Sequence, residues 1–94
     1  MATPAIGNLF SLGRILIKPR AHDLLERIDI VEAMERHAHG DWGLLKPDDT
    51  RQNDLALREG GRLVSVYHDR RETTFCIITD SDRSLTTVLL PEEF

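Results

Sequence analysis

The 94-residue chain predicts an α+β domain. The expected arrangement is an N-terminal strand, two to three helices and a C-terminal three-stranded antiparallel meander, with a single layer of helices on the sheet. Three observations predict it. Apolar residues recur at helical spacing between Pro19 and Gly60, they alternate in β-branched and aromatic runs after Gly61, and the polar breaks between those later runs suit hairpins. A chain of this length has room for one domain.

Residues 1–11, with Pro4, Gly7 and Asn8, keep no steady period and are expected to be a flexible lead-in to a single domain over 12–94. Leu12 and Arg14 to Ile17 read as the first strand. Pro19 stops it, and its fixed φ and missing N–H suit the first turn of a helix through His22, Leu24, Leu25 and Ile28. Asp29 is placed to cap a second helix, because its carboxylate can accept from the free N–H groups of the next turn. In that helix Ile30, Met34 and Ala38 fall at i, i+4 and i+8 with Val31 beside them, leaving Glu32, Glu35 and Arg36 to water. Gly40 ends it, and Gly40-Asp41-Trp42-Gly43 is a tight turn holding the chain's tryptophan. From Pro47 and Asp48 a third, shorter helix reaches Arg58, with Leu55 and Leu57 for packing and Gly60-Gly61 as terminator.

Arg62 to His68, Thr73 to Thr79 and Ser84 to Leu90 are the meander strands, separated by Asp69 to Glu72 and Asp80 to Arg83. On the first, Leu63, Ser65 and Tyr67 share one face and Val64, Val66 and His68 the other. The middle strand is apolar on both faces and is expected to be central. Ser84 to Leu90, closed by Pro91, is expected to be an unpaired edge and a route to a homodimer by strand addition, with a monomer as the alternative.

Hydrophobic residues make up 40% and charged residues 30%, the balance of an ordinary globular domain. Twelve basic against sixteen acidic residues leave a net charge of -4, which disfavours a phosphate-backbone grip on nucleic acid. The same mixture is too dilute to imitate a DNA backbone. Cys76 is alone, so no internal disulfide forms, which fits a reducing cytoplasm. Arg14 interrupts the apolar stretch from Ala5 to Ile17, and no apolar run nears the roughly 20 residues of a bilayer span, so neither a signal peptide nor a membrane partner is expected.

Candidate chemistry is sparse. Cys76, between Phe75 and Ile77, is expected to be buried and unreactive. His37 and His39 stand two apart, which on a helix points them about 200° apart, and with Asp41 they do not make a metal site. No cofactor or metal is expected. His39 suits the negative end of a helix. Asp41 and Trp42 either brace a turn or, as the functional alternative, anchor a partner. The richest polar set is Arg62, Ser65, Tyr67, His68, Asp80, Arg83, Ser84, Thr86 and Thr87, of which strand alternation lets only a subset converge. Its bland reading is a self-bonded hairpin turn flanked by ordinary strand residues.

The segments His37 to Gly43 (HAHGDWG), Asn53 to Tyr67 (NDLALREGGRLVSVY) and Ile77 to Phe94 (IITDSDRSLTTVLLPEEF) resemble a family of small, uncharacterised bacterial proteins carried mostly on plasmids and other mobile elements. Some members bear a restriction-associated label. The resemblance spans roughly residues 12–94; relatives have Trp at Cys76, Glu at Asp80 and Tyr at Phe94. An aromatic at Cys76 implies a packing position. The resemblance supplies no established activity. The expected function is that of a non-enzymatic, cytoplasmic binding or regulatory protein of mobile elements, accessory to or inhibitor of a host defence system, with a protein partner and with Asp41, Trp42, Ser65, Tyr67, Asp80, Ser84 and Thr86 as binding candidates. The alternative, by analogy of strand order and size, is a metal-independent ribonuclease of the barnase or toxin type using His68 or His39 with Arg62 and Arg83.

Overall fold

A computed structural model describes residues 7–94. In chain order they form β1 (Arg14–Ile17), α1 (Pro19–Leu24), α2 (Arg27–Ala38), α3 (Pro47–Glu59), β2 (Leu63–His68), β3 (Thr74–Thr79) and β4 (Leu85–Leu89), followed by a 3-10 turn over Pro91–Glu93. The domain is α+β with a mixed four-stranded sheet. No helix among the described residues is long and apolar enough to cross a membrane.

The helices break where burial demands it. Leu25 leaves helical geometry at φ -93° and ψ 142°, turning its side chain into the core while α2 starts afresh at Arg27. The first helix therefore ends before Ile28, which stays exposed, and Asp29 lies inside the first turn of α2 instead of capping it. There its carboxylate still faces the positive end of the helix, and it accepts from Arg70 Nε at 3.1 Å. Pro47 at the first turn and Gly60 in left-handed geometry bound α3 as expected.

The expected meander is present as β2, β3 and β4 with antiparallel pairing. It is not the whole sheet. β1 pairs parallel to β4, Arg14 opposite Leu85 and Ile17 opposite Val88, giving the order β1-β4-β3-β2. This corrects the expectation for Ser84 to Leu90: β4 is an inner strand, and the edges are β1 and β2. A parallel partner needs a long crossover, and the intervening helices and hairpin supply it. Ala21, Leu25, Ile30 and Ala33 of the helical segment pack on Tyr67, Phe75, Ile77 and Val88 of one sheet face. On the opposite face Cys76, Ile78 and Leu89 cluster with Val64 and Val66.

Of the lead-in expected over 1–11, residues 1–6 lie outside the described residues. The rest is packed: Leu9 N–H donates to Ala38 O at 2.8 Å, and Phe10 is buried against Trp42 and Leu63.

The outer side of β2 is closed by hydrogen bonds. Asn53, buried on α3, accepts from Val64 N–H and donates from Nδ2 to Val64 O. Two residues along, Val66 N–H donates to Trp42 O at 3.2 Å and Val66 O accepts from Leu44 N–H at 2.8 Å. Between these, Gly43 has φ +74°, and a Cβ there would strike the Val66 carbonyl and the Tyr67 ring. Gly60 has φ +88° but faces open space. Gly43→Ala is therefore expected to cost about 3 kcal/mol or more and Gly60→Ala about 1 kcal/mol, measured by urea unfolding.

Candidate interaction site

The four residues of the hydrolytic reading are dispersed. Arg62 and His68 are both exposed and stand at opposite ends of β2, about 20 Å apart at strand rise. Arg83 is committed to backbone: its guanidinium donates to Gly61 O at 2.6 Å, Asp80 O at 3.1 Å and Ala56 O at 3.1 Å, tying the β3–β4 hairpin to the end of α3. Burial depresses its pKa from the ordinary arginine value. His39 caps α2, its Nδ1–H donating to Glu35 O at 2.6 Å. Among the described residues no imidazole is hydrogen-bonded to an arginine, and no three His, Cys, Asp or Glu side chains gather as a metal site.

The binding candidates serve the scaffold. Asp41 takes a two-point contact from Arg36, at 2.7 and 3.2 Å, and also accepts from Gly43 N–H. That hydrogen bond from Arg36 holds the Asp41 carboxyl below the usual carboxylate range. Tyr67 OH donates to Asp41 O at 2.7 Å, and the Arg36 guanidinium covers the Tyr67 ring at 4.8 Å. Burial lifts the Tyr67 phenol to about 12. Trp42 is only 4% exposed, stacks on Phe10 and donates from Nε1 to Asp54 Oδ1 at 3.0 Å. It braces the turn and offers no anchor for a partner. Asp80 and Ser84 belong to the hairpin, where Asp82 accepts from both Ser84 N–H and Ser84 Oγ. Cys76 is buried, which pushes its thiol pKa up and away from nucleophilic use.

Ser65 and Thr86 enter a different construction, centred on His37. His37 is fully buried on α2, with Phe10 edge-on at 5.3 Å and Trp42 at 5.6 Å. Its Nδ1 lies 2.5 Å from Ser65 Oγ and its Nε2 2.9 Å from Thr79 Oγ1; Thr79 Oγ1 lies 2.7 Å from Thr86 Oγ1, which donates to Leu12 O at 2.6 Å. The protons can be placed by elimination, because a carbonyl only accepts. Thr86 gives its proton to Leu12 O, so Thr79 donates to Thr86 and must accept from His37 Nε2–H. Neutral His37 then accepts on Nδ1 from Ser65. The chain uses each hydroxyl once as donor and leaves no buried side-chain polar atom unpaired among the described residues. Serine beside histidine resembles a nucleophile and base, yet no side of this pair reaches solvent.

Sequence reasoning weighed His37 only as a metal ligand with His39 and left it out of the α2 stripe. The signal was present: His37 follows Ile30 by seven residues and Ala33 by four, so it shares their buried side. Ser65, Thr79 and Thr86 are the matching polar positions on the helix-covered sheet face.

The open surface lies elsewhere. Ile15, Ile17, Leu25, Ile30, Val31 and Met34 wall a groove of about 320 Å³ between β1 and the helices, with His22 and Arg27 at its mouth. Val31 and Met34 also line an adjoining cleft of about 180 Å³ toward Leu12 and Ala38. A larger hollow of about 680 Å³ beside α3 is walled by Arg51, Gln52, Asp54, Leu55, Leu57 and Arg58, none of them buried, so it is a solvated surface trough. No protein-family model, curated protein or solved structure matches the chain.

Burial, aided by the charge of Arg83, lowers the His37 pKa from 6.5 to about 4. The unfolded chain thus takes up a proton that the folded one refuses. Stability from this group is complete above pH 6.5 and is lost as pH falls toward 4, a loss of about 3 kcal/mol. Chemical denaturation at steps between pH 7 and 4 is expected to show this slope. His37→Gln is expected to flatten it, while leaving the further acid loss from Asp41 and Glu93, whose carboxyls are held below their ordinary values.

Proposed function

We propose that this is a small, non-enzymatic, cytoplasmic binding or regulatory protein of mobile elements, accessory to or inhibitor of a host defence system, working through a protein interface. The observation that carries the reading is the contrast between its polar and apolar features. The four side chains of the hydrolytic reading do not converge, Arg62 and His68 being separated by the length of a strand and Arg83 and His39 bound to backbone, whereas an apolar groove stands open beside a sheet edge. Catalysis requires an imidazole, a guanidinium and a hydroxyl within reach of one another in an open cleft. The resemblance of Gly40 to Gly43 and of Asp82 to Glu93 to proteins of plasmids supports the genetic setting. The net charge of -4 favours a protein partner over RNA or DNA.

Expression of the intact chain in bacterial cells is expected to cause neither growth arrest nor RNA cleavage, and a pull-down is expected to return a restriction or CRISPR component. RNA cleavage that disappears in His68→Ala would overturn this function and restore the ribonuclease.

A further inference from the structure

We propose that the β1 edge and the groove beside it capture an extended segment of a partner protein as a fifth strand, and that this segment alternates apolar with acidic residues. The inference rests on the binding role above and names the surface and the chemistry of the partner.

The backbone comes first. In a parallel ladder alternate residues turn their N–H and C=O groups to the neighbour. Arg14 N–H donates to Ser84 O and Lys18 N–H to Val88 O, so the even-numbered positions face β4. Ile15 and Ile17 therefore direct their peptide groups away from the sheet, and no backbone bond reaches them from outside among the described residues. The two edges are treated unequally. Asn53, Trp42 and Leu44 occupy the outward groups of β2, while among the described residues nothing comparable covers β1. Ile15 and Leu16 are 46% and 45% exposed there, an apolar edge of the kind proteins ordinarily protect.

The side chains select the occupant. An added strand would place alternate residues over the groove next to Ile15 and Ile17, where Val31 and Met34 await apolar contact. Its other residues would stand beside Arg14, Leu16 and Lys18 on the opposite face. Arg14, Lys18 and Arg27 form no ion pair among the described residues. Of the acids nearby, Asp23 lies 3.7 Å from His22, Glu35 lines the adjoining cleft, and Glu93, held by the N–H groups of Arg20 and Ala21, feels the charge of Lys18 without an ion pair to it. The edge is thus basic where it meets the added strand. A second copy of this chain fits poorly, because full antiparallel overlap about Leu16 sets Arg14 opposite Lys18 of the other copy, and like charges directly opposed destabilise a strand pair. The same two cations that oppose self-pairing favour an acidic strand.

The test uses the intact, ¹⁵N-labelled chain and two acetylated peptides of about ten residues, one alternating valine with glutamate and one alternating valine with lysine. The glutamate peptide is expected to shift the amides of Ile15, Ile17, Val31 and Met34, to slow hydrogen exchange at Ile15 and Ile17, and to bind about tenfold more tightly than the lysine peptide. Ile15→Pro removes one outward N–H and should abolish binding. Arg14→Glu combined with Lys18→Glu, the first exposed and the second half-buried, should reverse the preference. Equal affinity for both peptides, no saturable binding, shifts centred on Cys76, Ile78 and Leu89, or pairing of two copies through β1 in sedimentation would overturn the proposal. A defence component still captured by Ile15→Pro would overturn edge capture while keeping the binding role; RNA cleavage would instead remove the binding role itself.

Discussion

Leu12 turns one carbonyl oxygen toward the interior, and that acceptor orients the polar chain behind it. Thr86, Thr79, His37 and Ser65 follow in a single direction of donation, so one peptide group sets the tautomer of an imidazole three hydrogen bonds away. The chain links the segment before β1 to β4, β3, α2 and β2 in turn. The links among Thr86, Thr79, His37 and Ser65 lie where water is excluded, so that a satisfied hydrogen bond is strengthened and an unpaired group is costly. The register of the sheet and the seat of α2 therefore depend on one another: sliding either would strand a buried hydroxyl or ring nitrogen. His37 must also remain uncharged, because a second ring proton would leave Ser65 with no acceptor for its own.

The same bond places β1. By holding Leu12 over Thr86, it delivers Arg14–Ile17 alongside β4, and the sheet gains a parallel strand at the side where the meander would otherwise end. The result is a sheet with one sealed edge and one edge that is bare among the described residues. On the sealed side a buried asparagine imitates a strand, and a left-handed glycine lets the preceding turn approach the backbone of Val66. On the bare side α2 stands back far enough from β1 to leave an apolar groove, with Val31 and Ile28 at the surface instead of in the core. Packing is thus strongest where the polar chain runs and most open on the far side of β1.

Much of the fold was legible because it rests on local periodicity. The meander, the alternation that puts Leu63, Ser65 and Tyr67 on one face, the Pro47 start and Gly60 stop of α3, and the burial of Cys76 all follow from spacing and from backbone preference. The site was less legible. Arg83 and Trp42 carry types associated with catalysis and binding, but long-range partners, Gly61 O, Ala56 O and Asp54, absorb them. His37 was weighed only as a metal ligand beside His39, because a histidine in an apolar stripe acquires its hydrogen-bonding role only when the residues opposite it are known.

By itself the sequence determined which residues face together on each element and where the elements begin and end, within the limits set by Leu25 and Asp29. Alternation and helical repeat are properties of neighbouring residues, and so they can be read along the chain. Only the tertiary structure decided that β1 runs parallel beside β4, that Asn53 closes β2, and that three hydroxyls and one imidazole share a line of protons. Those outcomes pair residues on different elements, from 7 to 42 positions apart along that line of hydroxyls and imidazole. Their choice is made by excluding water from polar groups that must find partners inside, a condition that exists only once the core has closed.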